Sequence, residues 1–180
     1  NDFNTTEANV IAAYGYALEA RRLYNQTNGQ KGAFVVATNA SWGIDYGQAT
    51  SSPIWCAFYD SLGAAGILNV GATTNNSEDV DIVGDLPTTC PSDFMIGVTG
   101  HNRFGSLSGG YGDTHIDIAA PTGSVTTTSN NSNYGSFGGT SAAAPQVAGA
   151  IALAYAGACA DFMQLVRLQP EMAALEVKQA

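Results

Sequence analysis

Two short apolar runs, GAFVVATNASWG (32–43) and GILNVGATTNN (66–76), each open on glycine and end in small or amide residues. A run of this length, rich in β-branched residues, is a strand buried on both faces, and such strands belong to parallel sheets. Each run follows a helical stretch. Between residues 6 and 25, Val10, Ile11, Tyr14, Ala17, Leu18 and, at the end of the stripe, Arg21 recur at helical spacing, with Thr6 placed to cap and Asn28-Gly29 to stop. Residues 52–65 read as a second helix with Pro53 in its first turn. Helix–strand–helix–strand order predicts a largely parallel sheet with helices on its faces, and places any ligand site beyond the carboxyl ends of the strands. Further strands are expected at Phe94–Thr99 and His115–Ala119 and a hairpin over 124–139, with a turn-rich stretch at 102–113. A long small-residue helix is expected over Thr140–Ala158 and a last helix near Pro170. Residues 1–180 read as one domain, with no internal repeat and no linker.

Composition excludes several classes of function. Charged residues are only 12% of the 180, and 6 basic against 15 acidic residues give a net charge of −9. A nucleic-acid binder needs a cationic face, so no nucleic-acid partner is expected. No apolar run approaches the roughly 18 residues of a spanning helix, so no membrane role is expected. The first ten residues, NDFNTTEANV, lack the basic and apolar regions of a signal peptide. Cys56, Cys90 and Cys159 form neither a CxxC nor a His-Cys cluster, which argues against structural zinc. Two readings stand for them: buried thiols in a reducing compartment, or a Cys56–Cys90 pair with Cys159 left over in an exported protein.

Three polar clusters fall where the ligand site belongs: Ser41-Trp42-Gly43, Thr73-Thr74-Asn75 and Gly139-Thr140-Ser141. The third opens GGTSAAAPQVAGAIAL (138–153), a helix of Ala, Gly and branched apolar residues able to approach its neighbours closely. A serine at a helix amino end sits in the positive field that favours a developing oxyanion. It can equally be a plain helix cap. The α/β-hydrolase elbow G-x-S-x-G is excluded by Ala143, and no G-x-G-x-x-G dinucleotide motif occurs.

The run Gly-Thr-Ser-Ala-Ala-Ala-Pro-Gln-Val-Ala-Gly, residues 139–149, closely resembles the nucleophile motif of subtilisin-like serine proteases, G-T-S-x-[AS]-x-P-x-V-[AS]-G, with Gln146 where the familiar variant has histidine. Asn39-Ala40-Ser41-Trp42-Gly43 is similar to the family's substrate-pairing N-x-S-x-G, and Val70–Asn75 to its oxyanion strand V-x-A-A-G-N, with Thr74 in place of the usual glycine. Leu86–Val98 and Ile116–Gly123 stand for Y-P-A-x-x-x-x-V-I-x-V-G-A and V-D-V-A-A-P-G. The resemblance runs from about residue 30 to the end.

It implies a three-layer α/β fold, a largely parallel sheet flanked by helices, truncated on the amino-terminal side. It implies a serine endopeptidase acting on extended polypeptides through an acyl-enzyme on Ser141, with Asn75 rather than Asn76 as oxyanion donor. Substrate would be bound by Ser41, Trp42, Gly43, Gly71, Ala72, Thr73, Gly139 and Thr140; the aromatic residues Trp42 and Tyr134 near the groove read either as apolar subsites or as packing. The family's D-[ST]-G and H-G-T-H-V-A-G motifs, which carry the aspartate and histidine, do not occur in these 180 residues. His101 and His115 map to non-catalytic places, and Asp113 and Asp117 to turns or surface. The chain alone is therefore expected to be inactive, the alternative being a non-catalytic peptide-binding pseudoprotease. The expected partners are polypeptide substrate, the amino-terminal part of the same catalytic domain, and a second copy through an exposed sheet edge. The expected setting is secreted or cell-surface. No metal or cofactor is assigned; Asp79, Asp81 and Asp85 raise the question of structural calcium, but no EF-hand-like spacing supports it.

Overall fold

The computed structural model describes residues 7–180, so the Thr6 cap lies outside the described residues. In chain order the elements are helix α1 (Glu7–Gln26), strands β1 (Ala37–Ala40) and β2 (Ile44–Asp45), helix α2 (Pro53–Ala64), strand β3 (Leu68–Ala72) and the short helix α3 (Val80–Val83). Strands β4 (Asp85–Leu86), β5 (Met95–His101), β6 (Ile118–Pro121), β7 (Val125–Ser129) and β8 (Asn133–Phe137) follow. Helices α4 (Thr140–Ala156), α5 (Ala160–Leu168) and α6 (Pro170–Gln179) complete the chain. Strands β1, β3, β5 and β6 form a parallel sheet in that spatial order. Two antiparallel pairs, β2–β4 and β7–β8, stand outside it.

The period-two alternation of a strand sorts the core into two halves. From β3, Leu68, Val70 and Ala72 face the helix side built by Ala143, Ala144, Ile151 and Tyr155 of α4, Val166 of α5 and Ala173 and Ala174 of α6. The opposite face, with Ile67 and Met95, packs on Val10, Tyr14 and Leu18 of α1 and on Trp55, Tyr59 and Leu62 of α2. Burying each large apolar side chain contributes roughly 1.5–3 kcal/mol. The aromatic polar atoms on this side are satisfied in series: Trp55 Nε1 donates to Tyr59 Oη at 2.8 Å, and Tyr59 donates to Tyr14 Oη at 3.1 Å. The stripe on α1 ends in a fully buried Arg21, whose Nε donates to Asn25 Oδ1 and Nη1 to the Val35 carbonyl, with the guanidinium over the Phe34 ring.

Three expectations are corrected. The first apolar run is a strand only from Ala37, and it is half exposed rather than buried, because β1 is an edge with β3 on one side alone. The strand expected from His115 starts at Ile118; the His115 ring and main-chain N–H are both held by the Asp81 carboxylate, which turns the chain before regular pairing begins. Between α4 and α6 lies an unexpected helix, α5, whose Phe162, Met163, Leu165 and Val166 pack on the main core. The hairpin and the second helix fall where the sequence puts them.

Candidate active site

Gly139 precedes the first residue of α4 with φ 74° and ψ −177°, a region open essentially to glycine alone. A Cβ there would also stand 2.5 Å from Asn75 Oδ1. Thr140 and Ser141 are thus the first and second helical residues. The cap position is glycine, so the reading of Ser141 as a helix cap fails. Its hydroxyl donates across to the Ser41 carbonyl at 3.2 Å, and Ser41 Oγ donates back to the Ser141 carbonyl at 2.9 Å. That second bond has a cause four residues along. Pro145 has no N–H, so the Ser141 carbonyl has no partner within the helix, and Ser41 supplies one. The proline therefore ties the end of β1 to the start of α4. Gln146 Nε2 adds a tether, donating to the carbonyls of Pro121 and Ala142.

Asn75 arrives from β3 on the other side. Its Oδ1 accepts the Thr140 N–H at 3.0 Å and the Thr140 hydroxyl at 3.2 Å, while that hydroxyl also donates to the Thr73 carbonyl at 2.6 Å. With the amide oxygen so engaged, Asn75 Nδ2 and the Ser141 N–H in the first turn of α4 are donors without protein acceptors among the described residues. Asn76 is committed elsewhere, to Asp45 Oδ2 and Thr74 Oγ1. The departure at Thr74 is accommodated: its N–H donates to Asp85 Oδ2, its carbonyl accepts from Gly110, and its hydroxyl accepts from the Asn76 N–H.

The remaining candidates divide. Ser41, Gly139 and Thr140 meet at Ser141 and Asn75. Gly43 lies so close to the Leu86 carbonyl that no side chain fits, which fixes one wall against β4. Trp42 stacks on Trp55, centroids 5.7 Å apart, and stays half exposed. Gly71 and Ala72 at the end of β3 and Thr73 just beyond it are buried, with Gly71 facing Pro87, Thr88 and Met95. Tyr134 stands exposed on β8.

Neither histidine touches Ser141. His101 Nδ1 donates to the Asn102 carbonyl, and His115 Nδ1 pairs with Asp81 Oδ1 at 2.7 Å. Asp79 accepts the Asp81 N–H at the start of α3, Asp81 also accepts the Thr114 N–H, and Asp117 takes the Gly97 N–H and Lys178. Asp85 is buried, and that burial pushes its carboxyl above the usual aspartate range. Among the described residues no three His, Cys, Asp or Glu side chains gather around a metal position. Cys56 and Cys90 form a disulfide with Cα atoms 5.0 Å apart, and Cys159 is free and exposed. Cysteine spacing alone left that pairing open; it is decided by α2 lying beside the 87–92 turn.

A parallel three-layer α/β fold thus places a serine, and two N–H donors without protein acceptors among the described residues, at the start of α4. The chain belongs to the subtilase family (peptidase S8), which matches residues 1–179. Subtilisin-like protease 2 of Plasmodium falciparum is 32% identical over 119 residues, 65% of this chain and 9% of that protein. Among solved structures, a cold-adapted subtilisin-like serine proteinase superposes with a TM-score of 0.57 at 19% identity, covering 96% of this chain and 54% of that one. A protease of Pseudoalteromonas arctica gives 0.56 at 23% identity, covering 83% and 52%. The fold is accordingly subtilisin-like, and the chain spans about half the length of these solved relatives.

Proposed function

We propose that this chain is the nucleophile-bearing part of a serine endopeptidase that cleaves extended polypeptides, and that by itself it hydrolyses nothing. The observation carrying the reading is the Thr140 clamp: it spends the Asn75 amide oxygen and leaves Nδ2 available beside Ser141. Ser141 Oγ attacks the scissile carbonyl while a base from outside the described residues takes its proton. The tetrahedral oxyanion is received by Asn75 Nδ2 and the Ser141 N–H, then collapses to an acyl-enzyme on Ser141 Oγ as the same base delivers that proton to the departing amine. The peptide lies extended along Ser41–Gly43, pairing by its backbone as β-strand additions do.

Loss of the histidine of a Ser-His-Asp triad costs on the order of 10⁶-fold in turnover. The chain alone, incubated with a fluorophosphonate probe and a fluorogenic peptide, should therefore show no labelling and no hydrolysis beyond a Ser141→Ala control. Rapid labelling of Ser141 without any partner would overturn the inactivity. A full-length protein with both upstream motifs yet no activity would favour the pseudoprotease reading. The open side of β1 and the outer face of α4, where Leu153 is 73% exposed, are the proposed contacts for the upstream part of the domain or for a second copy. A monomer in sedimentation at high concentration would argue against self-association. The Cys56–Cys90 bridge supports a secreted or cell-surface setting.

A further inference from the structure

The Cys56–Cys90 disulfide joins α2 to the turn that follows β4, and the proposed chemistry gives it no part. It closes a loop, residues 57–89, that carries β3, Gly71–Thr73, Asn75 and β4. The oxyanion wall of the groove therefore lies inside the loop, while α4 and Ser141 lie outside it. Within the loop β4 is only two residues long, pairing Leu86 with Ile44 and Asp85 with Asp45. A ladder of two pairs does not hold itself. Yet this strand and the two residues after it support both walls: the Leu86 carbonyl seats Gly43, and Pro87 and Thr88 face Gly71. Beyond Thr88 the chain is fastened twice to α2, by the bridge and by Ser92 Oγ, which donates to Asp60 Oδ1 at 2.7 Å. That hydrogen bond is exposed and water replaces it readily, so the bridge is what resists displacement of the supports.

The bridge is buried but approached from two sides. Cys56 lines a cavity of about 310 Å³ with Pro53, Asp60 and Pro91. Cys90 lines a second of about 310 Å³ with Pro91, Met95 and Lys178. Both cysteines belong to the half of the core built by α1 and α2, whereas α4, α5 and α6 pack on the other half. Opening the bridge therefore loosens the segment that supports Gly43, Gly71 and Asn75, and leaves the helix that carries Ser141 in place. Such a change is a local opening rather than global unfolding.

We propose that the Cys56–Cys90 bridge is a redox latch on the groove: closed, it holds the Leu86–Thr88 supports, and opened by a dithiol, it releases them and weakens the grip on peptide. One thiolate of the dithiol attacks Cys90 Sγ, forming a mixed disulfide and expelling Cys56 as a thiolate. Cys56 is the fourth residue of α2, where the field of the helix start favours that negative charge. The second thiolate of the dithiol then displaces Cys90. The dithiol gives up two electrons and becomes a cyclic disulfide, and its two protons end on Cys56 and Cys90. The latch itself rests on these contacts; its consequence for peptide rests on the groove reading above. The 180-residue chain, with Cys159 alkylated beforehand, is compared before and after millimolar dithiothreitol without denaturant. Two thiols should appear, amide protection over residues 71–76 and 85–90 should fall about tenfold, and protection in α4 should hold. Binding of a dye-labelled Ala-Ala-Ala-Leu amide, read by fluorescence polarisation, should weaken about tenfold and return on reoxidation. A bridge that stays intact, or unchanged exchange over 85–90, overturns the latch. Equal loss of protection in α4 also overturns it, because the bridge then staples the whole fold. Loosened supports with unchanged peptide affinity overturn its action on the groove. If the oxidised chain binds no peptide, the groove reading fails, and the exchange result still decides the latch.

Discussion

Thr140→Val isolates the contact on which the oxyanion geometry depends. Thr140 is 1% exposed, and its single hydroxyl proton is shared between the Thr73 carbonyl at 2.6 Å and Asn75 Oδ1 at 3.2 Å. Valine keeps the shape, so almost no cavity opens, and the loss is of the hydroxyl itself. Leaving a buried carbonyl without its donor costs about 1–3 kcal/mol. With a urea slope of about 2 kcal/mol/M for a domain of this size, the unfolding midpoint should fall by roughly 0.5–1.5 M. Fluorescence of Trp42 and Trp55, stacked beside the groove, reports the transition. Thr140→Ser, which retains the hydroxyl, should lose clearly less. A valine midpoint within about 0.2 M of wild type would refute the claim that this hydroxyl clamps the Asn75 loop to α4.

The Cys56–Cys90 bridge closes a loop of sequence separation 34, which the chain-entropy relation values at about 3.8 kcal/mol. A Cys56→Ala/Cys90→Ala variant should lose stability of that order, and thiol counting on the denatured, unreduced chain should find only Cys159; three thiols would refute the pairing. Two aspartates should respond to acid in opposite senses. At Asp81 slight desolvation raises the carboxyl, but hydrogen bonds from His115 and Thr114 outweigh it and hold the group below its ordinary value. Its contribution is thus present above the unfolded aspartate pKa and lost as pH falls through the lower folded one. At Asp85 burial raises the folded value, so its ionisation costs stability as pH rises through the unfolded value toward the folded one. Urea titrations from pH 3 to 7 should find Asp81→Asn less stable than wild type at neutral pH and Asp85→Asn no less stable; the reverse order would refute the assignment.

Some of this was readable from the chain alone, because it depends on near neighbours. The small-residue helix, its serine and the glycine before it are written in eleven consecutive residues, and the strand leading to Asn75 in six. Local periodicity places α2, β3 and the β7–β8 hairpin within a residue or two. What needed the folded molecule depends on groups far apart in sequence. Whether β1 is buried turns on having a neighbour on its second side, which no local pattern encodes. Ser141 as second helical residue rather than cap follows from the φ of Gly139 and the space taken by Asn75, 64 residues earlier. The proline that frees the Ser141 carbonyl is visible in sequence, but Ser41 as the group that takes it is not. Asp85 reads as one of three neighbouring carboxylates in the sequence; only its burial, with the Thr74 N–H and the Thr88 hydroxyl donating to its carboxylate, separates it from Asp79 and Asp81. Sequence fixes the residues that can do chemistry because motifs are contiguous, whereas charge, exposure and partnership are set by what long-range packing brings within a few ångströms.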